Sequence, residues 1–142
     1  MTKRYSFIYI VLLVAAAAGC KQNAEQAAPK AACADTVVGT WYLTKQECSC
    51  PPAPKPDETI IFTASQEYSV YRNGQLSAQG TYAITQGQVC GAGPVVPFLK
   101  FTPATAGAYA PDGAYKVQDC TLVIDQCLAA DGSVLTYQHP VD

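Results

Sequence analysis

Seven cysteines are the residues in this chain best equipped for chemistry. A thiol can be acylated, joined in a disulfide, or deprotonated to hold a soft metal. Cys48 and Cys50 flank Ser49, and as thiolates they would suit an ion such as Cu(I). The Cys-x2-Cys pairs of structural zinc sites are absent. No metal and no cofactor are expected. Other chemistry is poorly supplied. The one histidine, His139, lies near the C-terminus and reads as an exposed tail residue. No serine or cysteine nucleophile motif accompanies it. Asp57 with Glu58, Asp112 and Asp125 offer carboxylates, but no spacing singles out a pair, so they read as turn and surface charges. No glycine-rich phosphate loop is present. The expectation is a protein that is not an enzyme, with no catalytic residues.

The first element that must position these cysteines is a leader. Tyr5–Ala18 is apolar apart from Ser6, with Lys3 and Arg4 in front. As a helix it would reach about 21 Å, short of the ~30 Å hydrocarbon core. It therefore suits the apolar region of a signal peptide. The run Ala17-Ala18-Gly19-Cys20 that follows resembles the processing site of bacterial lipoproteins, with Ala17 where those leaders usually carry leucine. The resemblance implies removal of residues 1–19 and lipid, palmitate included, on Cys20. A membrane is then a partner through that anchor. Lys21, where an aspartate would signal retention in the inner membrane, implies the outer membrane, facing the periplasm or the surface. Parity agrees with this. Setting Cys20 aside leaves Cys33, Cys48, Cys50, Cys90, Cys120 and Cys127, enough for three disulfides in an exported chain.

Without Lys3 and Arg4, seven basic residues face eleven acidic ones, a net charge of −4. No basic patch stands out, so nucleic acid is not an expected partner. Residues 21–34 are rich in alanine, glutamine and lysine, with Pro29 against a stable helix. Cys20 and this stretch (20–34) read as anchor and tether, reaching on the order of 50 Å when extended. The folded domain is expected over 35–142.

That domain reads as all-β. Eight runs rich in Tyr, Val, Ile, Phe and Thr are bounded by turn residues. They are Val37–Lys45, Glu58–Thr63, Glu67–Arg72, Leu76–Ile84, Val95–Thr102, Ala114–Gln118, Thr121–Gln126 and Ser133–Gln138. Asn73-Gly74 is a type I′ hairpin signal. Ala64-Ser65-Gln66, Gln118-Asp119-Cys120 and Asp131-Gly132 are further turns. Short links between successive strands predict an antiparallel up-and-down barrel, which leaves no exposed edge. Tyr68 with Val70, Tyr82 with Ile84, and Leu122 with Ile124 each share a face expected to point inward.

The run Val38-Gly39-Thr40-Trp41-Tyr42-Leu43 resembles the Gly-x-Trp motif that opens the first strand of lipocalin-like domains. Glu58–Thr63, Tyr68–Gly74, Gly80-Thr81-Tyr82 and Asp131–Tyr137 follow in an order similar to the bacterial members. The resemblance covers about residues 36–138. It implies a small disulfide-stapled barrel with Trp41 across its closed end. A small apolar ligand would meet Trp41, Phe62, Tyr68, Val70, Tyr82, Phe98 and Leu122. The same side chains would equally fill a ligand-free core. The alternative function is then an envelope interaction module meeting a protein partner through the loops Glu47–Asp57, Gln86–Pro94 and Pro103–Gly113.

Alternating strand directions place Cys48, Cys50 and Cys127 at one barrel end, and Cys90, Cys120 and Cys33 at the other. The leading expectation joins Cys127 to Cys48 or Cys50, and the next joins Cys33 to Cys90 or Cys120. Cys48 and Cys50, one residue apart, are expected to take different partners.

Overall fold

Period-two alternation of large apolar and polar side chains, interrupted by positive-φ turns, produces eight strands in the computed structural model, which describes residues 35–51 and 53–140. They are β1 (Gly39–Cys48), β2 (Glu58–Phe62), β3 (Glu67–Arg72), β4 (Gln75–Gln88), β5 (Val95–Pro103), β6 (Gly113–Gln118), β7 (Thr121–Asp125) and β8 (Ser133–Gln138). Each pairs antiparallel with the next, and β1 pairs with β8, so the sheet closes into a barrel. The expected all-β, eight-stranded antiparallel barrel is the observed fold. Among the described residues no helix is long and apolar enough to cross a membrane.

The turns follow their local chemistry. Asn73 and Gly74 have φ of 51° and 74°, as a type I′ turn requires, and close the Arg72↔Gln75 pair. Asp119 and Cys120, at 49° and 60°, do the same between β6 and β7. Two strands run well past their sequence-based bounds. β1 runs to Cys48 because β8 pairs with it as far as Ser133. β4 runs to Gln88 because β5 pairs with it as far as Val95. Partner strands, not the residues' own propensities, set these ends.

The inward face forms one core. Trp41, Ile60, Phe62, Tyr68, Val70, Leu99, Leu122, Ile124 and Tyr137 are at most 1% exposed. Each such side chain contributes roughly 1.5–3 kcal/mol by leaving water. Ile84 departs from the expected inward face. It follows Tyr82 with the right period but is 55% exposed. β5 pairs with β6 only at Phe98↔Ala114 and Leu99↔Gly113. Beyond those pairs β4 and β5 continue as a two-stranded arm over 86–97, and Ile84, opposite Leu99, lies at its base.

Candidate functional site

The barrel interior is the expected binding site, and its contents decide what it can hold. At one end the Trp41 indole Nε1 donates to the Val37 carbonyl at 2.7 Å. The His139 ring meets the Trp41 ring edge-on, with centroids 5.3 Å apart. Gly39 precedes this contact because a Cβ there would stand 2.9 Å from His139 Nε2. His139 is therefore half-buried and docked, with its amide bonded to the Cys120 carbonyl at 2.9 Å, and is not the exposed tail residue expected.

Farther in, the rings pack on one another. Phe62 lies 4.9 Å from Tyr82 and 5.8 Å from Phe101, and Tyr68 lies 4.8 Å from Phe101, in edge-on or tilted arrangements. Such contacts are worth ~0.5–1.5 kcal/mol each beyond the area they bury. Six of the seven proposed ligand contacts are thus brought together, Trp41, Phe62, Tyr68, Val70, Tyr82 and Leu122 all being buried. The seventh is not. Phe98 alternates with the buried Leu99, faces outward, and lies over Gly87 of β4. Leu99 and Phe101 occupy the inward positions of β5. The sequence Val95–Thr102 is apolar on both faces, so alternation could not choose between them.

The interior also holds a polar cluster. Glu58, expected on the surface, is 2% exposed. Its carboxylate accepts from Arg72 Nε at 2.8 Å and from the Tyr137 hydroxyl at 2.6 Å. The Arg72 guanidinium lies 4.1 Å over the Tyr109 ring. Tyr109 belongs to the β5–β6 connection, which turns inward with Ala108 and Ala110 against the core. Its carbonyl accepts from the Tyr68 hydroxyl at 3.3 Å. Burial, then the Glu58 charge, pushes the Tyr109 phenol up to about 12. Burial, with Tyr109 and Glu58 nearby, raises Tyr137 well above the ordinary tyrosine value. Both phenols stay neutral at physiological pH, and Tyr137 donates to Glu58. Period two was a usable signal here: Glu58-x-Ile60-x-Phe62 and Tyr68-x-Val70-x-Arg72 put both charges on the apolar face. Tyr109 lies in a loop and gave no periodic signal.

The other carboxylates serve locally. Asp112 accepts from the Phe101 amide at 2.7 Å and pairs with Lys100. Asp125 accepts from the Cys127 amide at 2.9 Å. Among the described residues no cluster of His, Cys, Asp or Glu is arranged to hold a metal.

The described disulfides differ from the leading expectation of Cys127 with Cys48 or Cys50, and they exclude Cys90 as the partner of Cys33. Cys90 bonds Cys127, with Cα atoms 5.0 Å apart. The short β5–β6 seam releases the β4–β5 arm, and the arm carries Cys90 to the loop after β7 instead of holding it at the opposite end. Cys48 bonds Cys50, not a distant partner. The chain bends at Ser49 as β1 ends, bringing the Cα atoms to 5.2 Å, within disulfide reach. Cys120 is disulfide-bonded too. The leader, Cys20, the tether and Cys33 lie outside the described residues.

Among the described residues, two surface clefts reach ligand size. One, about 430 Å³, is walled by Cys48, Cys50, Pro51, Pro54 and Lys55. The other, about 450 Å³, runs across Thr63, Glu67, Ser69, Gln79 and Thr81. The second cleft touches Tyr68, and neither opens onto Trp41, Phe62, Val70, Tyr82 or Leu122. Comparison with protein-family profiles, with curated proteins and with solved structures found no match.

Proposed function

We propose that this chain is a lipid-anchored, lipocalin-like module of the bacterial envelope that works through its outer surface, neither as an enzyme nor by enclosing a ligand. The observation that carries the reading is the filled interior: Trp41, Phe62, Tyr68, Val70, Tyr82 and Leu122 are each at most 5% exposed. A carrier needs a cavity of roughly 300 Å³ or more, and these side chains occupy that space themselves. On the outside, Ile84 at the base of the β4–β5 arm and Val95 within it, the latter 63% exposed, offer apolar contacts for an envelope protein partner. The anchor rests on the leader pattern before Cys20.

Native mass spectrometry of the protein extracted from its own membrane tests this. The expected species is polypeptide plus anchor lipid, with no further small molecule. Recurrent recovery with a stoichiometric adduct overturns it. A Cys20→Ala variant is expected to leave the membrane fraction, and continued membrane partitioning refutes the anchor.

One feature favours a second reading, as a carrier of a small apolar ligand. Tyr109 covers Arg72 from a connection, not a strand, so its withdrawal would open the interior without unpairing the barrel. On that reading Tyr109→Ala gains binding of amphiphiles, seen as a change in the fluorescence of the single tryptophan. On the outward-working reading it does not.

A further inference from the structure

Cys48–Cys50 is a covalent link that the fold hardly uses. Cys48 already has its place, because the β1–β8 ladder runs through the Cys48↔Ser133 pair. The bridge spans a sequence separation of 2, against 37 for Cys90–Cys127. A disulfide's constraint on the unfolded chain grows with the loop it closes, so this one restrains almost nothing. It is also accessible. Ser49 and Cys50 are exposed, Cys48 is half-buried, and both sulfur-bearing residues line the cleft of about 430 Å³. Lys55 stands in the same wall, with its ammonium held by the Leu43 carbonyl at 2.7 Å.

We propose that Cys48–Cys50 is a thiol–disulfide exchange site whose substrates are dithiols, such as paired cysteines on an exported polypeptide. A substrate thiolate attacks the exposed Cys50 sulfur. The Cys48–Cys50 bond breaks, a mixed disulfide forms, and Cys48 leaves as a thiolate in the cleft. The second substrate thiol attacks the substrate's own sulfur in that mixed disulfide and releases Cys50. The substrate departs oxidised to a disulfide, and Cys48 and Cys50 remain as a dithiol holding the two electrons and two protons it gave up. The β1–β8 ladder persists throughout, so exchange needs no unfolding. The inference is independent of whether the barrel works outwardly or as a carrier.

The test is equilibration of the folded full chain in graded dithiothreitol redox buffers, with alkylation and peptide mass spectrometry. The Cys48–Cys50 bridge is expected to open at a reductant ratio at least tenfold lower than Cys90–Cys127, with far-UV circular dichroism unchanged. The oxidised protein is then expected to convert one equivalent of a reduced dithiol peptide to its disulfide. A Cys48→Ser/Cys50→Ser variant should fold but transfer nothing. Opening of both bridges together with loss of structure overturns the proposal. So does a folded, oxidised protein that leaves the dithiol peptide reduced, or a double variant that does not fold.

Discussion

Glu58 and Arg72 form an unequal pair, and the inequality has consequences. The Glu58 side chain is 1% exposed and that of Arg72 is 37% exposed. Loss of Arg72 strands a carboxylate that cannot reach water, whereas loss of Glu58 leaves a guanidinium that can. Arg72→Leu is therefore expected to cost about 3–5 kcal/mol, and Glu58→Gln, which keeps an acceptor for Tyr137, roughly 1–2 kcal/mol. Urea unfolding of the two variants reads the order directly; equal costs would place the charge balance elsewhere. The phenols make a second prediction. Tyr109 titrates at about 12 in the folded protein against an ordinary 10, and Tyr137 is raised as well. The folded state thus holds these protons more tightly than the unfolded state. Stability from Tyr109 is fully present below pH ~10 and is lost as pH climbs from ~10 to ~12, on the order of 2 kcal/mol in all. Across that window unfolding midpoints should fall as phenolate absorbance rises.

At the scale of elements, turns and close strand contacts separate two kinds of glycine. Gly74 has φ of 74° and open space where a Cβ would go. Gly74→Ala is expected to cost only the left-handed backbone term, ~1–2 kcal/mol. Gly80 sits in β4 with Thr102 and Pro103 of β5 against it, and a Cβ would lie 2.9 Å from the Pro103 Cα. Gly80→Ala must spread the β4–β5 pairing and should cost more than Gly74→Ala in the same denaturation assay. The turn was legible because Asn-Gly carries its own geometry. The close approach was not, because Gly80-Thr81-Tyr82 does not say which strand will lie beside it.

For the whole molecule, the Cys90–Cys127 bridge ties the β4–β5 arm to the β7–β8 loop, where the backbone seam at β5–β6 is only two pairs long. It closes a loop of 37 residues in sequence separation, which corresponds to about 3–4 kcal/mol of restraint on the unfolded chain. A Cys90→Ser/Cys127→Ser variant is expected to lose stability of that size in thermal and urea unfolding. Amide exchange should quicken first in Gln86–Pro97, the arm freed from its tie. A loss confined to β1 and β8 would contradict this account of the arm.

Composition, alternation and turn residues determined the barrel by themselves: an antiparallel strand needs only its own period two and its own turns, and both are written locally. They also determined that Trp41, Phe62, Tyr68, Val70, Tyr82 and Leu122 would share a side. Three matters belonged to the tertiary structure alone. The face of Phe98 was undecided because β5 is apolar on both sides. The inward fold of Tyr109 over Arg72 came from a connection with no period to read. The pairing of Cys90 with Cys127 depended on how soon β5 parts from β6, a matter of distance between segments that no local pattern encodes.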